Sequence, residues 1–311
     1  MTENNIKPTS NTSPNDAAPI AIPQEAFDWY DEYAHGIIDR REFLKRLGGL
    51  TLLGLSASAI TAALTPNYAL AEQISFNDPD ITATFETFPS PQGHGEGRGY
   101  LVVPKALAST APAVLVVHEN RGLNPYIKDV ARRLAKVGFV AFAPDALHPA
   151  GGYPGNDDQG RAMQKALERS KIEADFLAAA LYLKDHPLSN GKLGAVGFCF
   201  GGYIVNMLAA AMPNTLDAGV PFYGTPAAES LRDKVKGPLM LQFASLDKRV
   251  NATWPEYEAV LKAQNADYIA HMYDGVNHGF HNDSTGRYAP AEAELAWQRT
   301  IAFFQQHLEV S

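Results

Sequence analysis

The stretch Val196-Gly197-Phe198-Cys199-Phe200-Gly201-Gly202 constrains this chain more than any other. An apolar run, Lys192 to Val196, enters it, and an apolar, helix-like run, Tyr203 to Met212, leaves it. Strand, sharp turn and helix make the context of a nucleophile elbow, G-x-Nuc-x-G, here with cysteine at its centre. Such a turn strains the backbone of its central residue, and Gly197 and Gly201 let neighbouring backbone pass close to it. Cys199 is the only cysteine in 311 residues, so an internal disulfide and a thiolate zinc cluster are both excluded. A lone cysteine commonly packs as a small apolar residue. The elbow therefore signals catalysis only if the rest of the chain supplies the partners a nucleophile needs.

The remaining pattern is an alternation of strands and helices. Ile81 to Phe88 and Gly99 to Val103 alternate like an antiparallel edge. Ala113 to Val117, Phe139 to Ala143, Ala218 to Tyr223, Leu239 to Phe243 and Tyr268 to Tyr273 read as further strands. Helical patterns cover Tyr126 to Val137, Pro255 to Gln264 and Ala291 to His307, with one long helix expected over Arg161 to Asp185. Asp145 to Asp158, rich in Gly and Pro, reads as a long loop over the carboxyl edge of the sheet. The sum is an α/β chain with a doubly wound, mostly parallel sheet and helices on both faces.

In such a sheet, active groups sit in loops beyond the carboxyl ends of strands. Cys199, Asp247 and His278 each follow a separate expected strand, in the order nucleophile, acid, histidine of the α/β-hydrolase fold. The imidazole generates the thiolate, the carboxylate fixes the imidazole's tautomer, and the thiolate attacks a carbonyl. His271 and His281 compete for the base role, although the polar setting His281-Asn282-Asp283 suits solvent. Glu119 ends the strand Ala113 to Val117, where a buried carboxylate needs a partner: Arg121, Arg161 or the cysteine itself. Backbone N–H groups of Asn120 and Phe200 are the candidates for an oxyanion hole.

With these residues in place, the chain from Phe85 onward resembles the dienelactone hydrolase family. The resemblance rests on Gly197-Phe198-Cys199-Phe200-Gly201-Gly202, His118-Glu119 with Gly122, Ser189-Asn190-Gly191-Lys192, Asp247 and His278-Gly279-Phe280. It implies Cys199 as nucleophile, His278 as base and acid, Asp247 as its orienter and Glu119 as activator of the thiol. It implies a small ester or lactone substrate and neither metal nor organic cofactor. One departure bears on specificity. The family reads a substrate carboxylate with two arginines, one of them four residues after the histidine, where this chain has Asn282. Arg121 and Arg161 are the candidates for the other. Without the bidentate fork, a neutral lactone or activated ester is at least as well suited as dienelactone.

The first 71 residues read differently. Met1 to about Glu25 is polar and expected to be disordered. Arg40-Arg41 ahead of the small, apolar run Leu47 to Leu64, followed by Ala69-Leu70-Ala71, resembles a twin-arginine export signal with its cleavage pattern. This predicts a periplasmic or otherwise exported protein, served by the twin-arginine machinery, with residues 72–311 as the mature hydrolase domain. The run is diluted by Gly, Ser and Thr, which argues against a stable membrane span. Residues 72–311 carry 21 Lys+Arg against 26 Asp+Glu, an acidic balance that disfavours nucleic acid as partner. Two other classes fit the fold: a non-catalytic binding module, which the intact trio disfavours, and a thiol redox sensor, which lacks a resolving cysteine.

Overall fold

The structure is a computed structural model and describes residues 22–50, 56–69 and 71–308. The chain divides into two compact units, Met1–Ile60 and Thr61–Ser311, a division that falls ahead of Ala71. In the first, α1 (Gln24–Ala34) and α2 (Arg40–Gly49) form a helical hairpin. Tyr33 and Phe43 stack at 5.0 Å and 3°, and Arg46 bridges to Glu32 at 2.6 Å. Asp39 caps α2 by accepting from the Glu42 amide at 2.8 Å, so the paired arginines occupy a capped helical turn. Disorder expected for the N-terminus falls on residues outside the description up to position 21, whereas Gln24 and Glu25 belong to α1. α3 (Ala57–Leu64) takes the end of the apolar run.

The second unit is built on one eight-stranded sheet of order β1-β2-β4-β3-β5-β6-β7-β8. Its strands are β1 (Ile81–Ser90), β2 (Gly95–Pro104), β3 (Ala111–Val117), β4 (Val140–Pro144), β5 (Ser189–Phe198), β6 (Ala218–Phe222), β7 (Leu239–Ala244) and β8 (Tyr268–Tyr273). β1 and β2 pair antiparallel, β2 joins β4 antiparallel, and every pairing from β4 to β8 is parallel. β3, β4, β6 and β7 are buried along their whole length, which is why they read as continuous apolar runs. β8, at the edge, pairs only with β7 and is mostly accessible.

The helices are α4 (Pro125–Lys136), α5 (Asp157–Ala166), α6 (Arg169–Lys184), α7 (Phe200–Ala211), the short α8 (Glu229–Arg232) and α9 (Lys248–Asn251), α10 (Trp254–Ala263) and α11 (Pro290–Leu308). One apolar core joins α6, α7 and α10 to one sheet face, and a second joins α4 and α11 to the other. The sheet is thus doubly wound, as the alternation requires. The single long helix expected over Arg161 to Asp185 is two helices. Leu167 and Glu168 take extended backbone, ψ 150° and 119°, and Leu167 packs against the core. Helix propensity alone runs through this joint, so tertiary packing overrides it. The expected loop over 145–158 contains a 3-10 turn at His148–Ala150 and ends at the start of α5. No helix among the described residues is long and apolar enough to cross a membrane.

Candidate active site

Cys199 is the single residue between β5 and α7, with φ 57° and ψ −110°. A non-glycine residue in this region costs about 1–3 kcal/mol, and the surroundings over-determine it. Its amide donates to the Phe222 carbonyl at 3.1 Å and its carbonyl accepts from Tyr203 at 3.2 Å. A Cβ on Gly197 would lie 2.2 Å from the Gly201 carbonyl oxygen, and one on Gly201 would lie 2.2 Å from that of Val117 and 2.9 Å from that of His118. Only glycine lets the elbow press against the end of β3, and that contact brings Cys199 beside the Glu119 loop. The thiol also sits at the amino end of α7, where the helix dipole favours negative charge.

Asp247 follows β7 and His278 follows β8. The Asp247 carboxylate serves two partners: one oxygen caps α9 by accepting from the Val250 amide at 3.0 Å, and the other meets His278 Nδ1 at 2.5 Å. Both side chains are buried. The helix cap and the contact to the imidazole thus fall on the two oxygens of one carboxylate. A ring nitrogen of His278 lies within 4.8 Å of Cys199 Sγ.

Glu119 is buried, and the Asn282 amide donates to its carboxylate at 3.1 Å. Burial pushes its pKa up, opposed by the charges of Arg121 and Arg287, while Cys199 adds to the rise. Arg121 itself pairs with Asp157 at 2.8 Å, and Arg161 pairs with Asp158 on its own helix at 3.0 Å. Both arginines thus face carboxylates of the chain itself, and Asn282 holds Glu119. Asn120 follows Glu119 in the loop leaving β3, and Phe200 opens α7 directly after Cys199.

Tyr223, Arg287 and Tyr126 carry no sequence pattern that singles them out, and His118 stood in the sequence only as the neighbour of Glu119 in a motif. His118 is fully buried; its Nε2 accepts from the Ala146 amide at 3.1 Å and its Nδ1 donates to the Glu119 carbonyl at 2.5 Å. Burial lowers its pKa, and this neutral imidazole fixes the Glu119 backbone. Tyr223, at the end of β6, has φ 37°, and its ring centroid lies 4.8 Å from that of His278. Its buried hydroxyl feels the charges of Glu119, Cys199 and Arg287. Arg287 is buried with its guanidinium against Gly279. Tyr126, from α4, shares a 2.6 Å hydrogen bond with His281 Nδ1.

His281 departs from expectation. It is buried, not solvated, because its ring stacks on Phe198 at 5.2 Å and meets Phe222 at 5.0 Å. Burial, then the charge of Arg133, lowers its pKa to about 3. It props the aromatic floor beneath the elbow, while Asp247 pairs with His278. His271 lies on β8, paired across to Gln242 in the sheet.

An eight-stranded, mostly parallel sheet with a strained strand–turn–helix elbow and an Asp–His pair at the ends of later strands defines an α/β-hydrolase fold. The sequence profile of the dienelactone hydrolase family matches residues 98–308, and the chain belongs to that family. Residues 17–50 match a separate profile, described as YqhI-like. An Escherichia coli (strain K12) protein, "Putative hydrolase fragment YghX", is 60% identical over 114 residues, which cover 37% of this chain and 97% of its own length. An Aquifex aeolicus (strain VF5) protein, "Putative carboxymethylenebutenolidase", is 35% identical over 68% of this chain and 94% of its own. A solved structure from Klebsiella pneumoniae, named "Putative Dienelactone Hydrolase", superposes with a TM-score of 0.63 at 25% identity, covering 72% of this chain and 99% of that one. The chain is accordingly a hydrolase of the carboxymethylenebutenolidase type.

Proposed function

We propose that this hydrolase cleaves a small ester or lactone through an acyl-thiol intermediate on Cys199. The observation that carries the proposal is the strained elbow thiol within 4.8 Å of an imidazole whose Nδ1 is held by Asp247. His278 accepts the thiol proton, and the sulfur attacks the carbonyl carbon. The carbonyl π pair moves to oxygen, received by the Asn120 and Phe200 amides. Collapse breaks the acyl–oxygen bond, and His278 returns its proton to the leaving oxygen. Water then gives a proton to His278 and attacks the thioester, releasing the acid and the thiol. Asp247 keeps the proton-carrying nitrogen facing the sulfur throughout. Glu119, raised toward neutrality by burial, engages the thiol at rest and yields as the substrate enters.

Engagement of Asn282 by Glu119 and of Arg121 by Asp157 favours a neutral lactone or activated ester over a carboxylate-bearing one. Hydrolysis of p-nitrophenyl acetate, a neutral enol lactone and cis-dienelactone by the full chain tests this, with Cys199→Ala alongside. The expected result is a loss of at least about a thousandfold in kcat/KM for the variant, with the neutral substrates turned over best. Undiminished turnover by the variant sinks the covalent mechanism. Export by the twin-arginine route belongs to the same proposal, supported by Arg40-Arg41 ahead of the apolar run. Cell fractionation, with the Lys-Lys variant as comparison, tests it.

A further inference from the structure

The chain just ahead of β1, residues 65–74, is tied to the catalytic unit by a series of polar contacts. Asn67 N donates to the Ser284 carbonyl at 2.6 Å, Gln73 to Asp283 at 2.8 Å, and Ile74 N to Asp129 at 2.8 Å. Arg132 returns a bond to the Ile74 carbonyl at 2.5 Å and pairs with Glu72 at 3.1 Å. Between these anchors, the Tyr68 hydroxyl donates to Asp157 at 2.9 and 3.0 Å and accepts from Asn124, the cap of α4, at 3.0 Å.

Asp157 is a hub. Its carboxylate takes Tyr68, the Tyr153 hydroxyl at 2.7 Å and the Arg121 guanidinium at 2.8 Å. α5, which Asp157 opens, lies so close to this loop that a Cβ on Gly160 would sit 2.3 Å from the Arg121 carbonyl oxygen. Arg121 is buried two residues beyond Glu119, and its charge is the largest force opposing the burial of that carboxyl. Tyr68 in turn feels the charges of Arg121 and Glu119.

We infer that Tyr68 is a positioning residue of the active site, acting through Asp157 and Arg121 on Glu119, and that the working enzyme therefore keeps the stretch preceding Ala69-Leu70-Ala71. Cleavage after Ala71 would remove this tyrosine along with the Asn67 anchor. The inference rests on the role proposed above for Glu119 and Cys199.

The single cysteine supplies a readout free of any substrate: the rate at which iodoacetamide alkylates Cys199 in the full chain, followed against pH. The titratable and charged groups that bear on Cys199, on Glu119 or on their partners in this profile are His278, Arg121 and Asp157, Arg287, Tyr126, Tyr223 and Tyr68. In Tyr68→Phe, Asp157 loses a donor and compensates Arg121 more fully, so the apparent pKa of alkylation rises. In Asp157→Asn, Arg121 loses its counter-charge and the apparent pKa falls. Shifts of about half a pH unit, opposite in sign, are expected. No shift in either variant, or shifts of one sign in both, overturns the inference. So does a chain beginning at Glu72, as found by intact mass in the exporting host, that retains the wild-type profile and turnover. A mass that includes Tyr68 supports it. Turnover that survives Cys199→Ala would defeat the covalent reading alone, since the alkylation profile does not depend on hydrolysis.

Discussion

Asp247 shows how one side chain can separate stability from chemistry. Asparagine keeps an oxygen for the Val250 amide, because Asn and Asp cap about equally well. It cannot hold the imidazole in the required tautomer. Asp247→Asn should therefore lower kcat by about 10²–10⁴-fold while the melting temperature stays near wild type; a matching fall in stability would mean the pair with His278 is chiefly structural. At this scale the sequence was most legible at strand ends, where Cys199, Asp247, His278 and Glu119 each lie in the loop past the strand they were expected to follow. Tyr223, Arg287 and Tyr68 were not legible, because each reaches the site from a position whose spacing carries no periodic or motif signal. His281 was misread because local polarity, Asn282-Asp283, says nothing of the aromatic rings packed around it.

Among the elements, the buried strands could be read closely, since burial on both faces writes an unbroken apolar run. The α5–α6 joint could not, because Ala166-Leu167-Glu168 is good helix sequence bent by packing. The aromatic floor beneath β5 and β6 has a pH signature. His281 is neutral in the fold, with its pKa lowered to about 3. The unfolded chain protonates it near 6.5. Between those values the unfolded state holds the extra proton, so stability falls as pH falls, by up to about 1.4 kcal/mol per pH unit. His118, also lowered by burial, acts in the same direction. Urea melts from pH 7 to 4 should show a steep acid limb for wild type and one shallower by about one proton for His281→Gln. Equal slopes would contradict the neutral assignment.

At the scale of the whole molecule, the division at Ile60 assigns residues 61–74 to the sheet unit and the helical hairpin to the other. A chain of residues 61–311 should fold and melt within a few degrees of the full protein. One of residues 72–311 loses the Asn67 and Tyr68 contacts and should melt several degrees lower, as about 1–2 kcal/mol of hydrogen bonding predicts. Calorimetry of the two chains decides, and equal melting temperatures would show that residues 61–71 add nothing to stability.

The position of β8 has a further consequence. His278, Asn282 and Arg287 all follow this strand, which has a neighbour on one side only and an accessible surface. Cys199 stands at the end of β5, deep within the sheet, whereas His278 hangs from the rim. Rims open first when a fold breathes. Warming or mild denaturant should thus silence the enzyme while most of the sheet remains intact. Its working temperature would be set by how firmly one border strand stays docked.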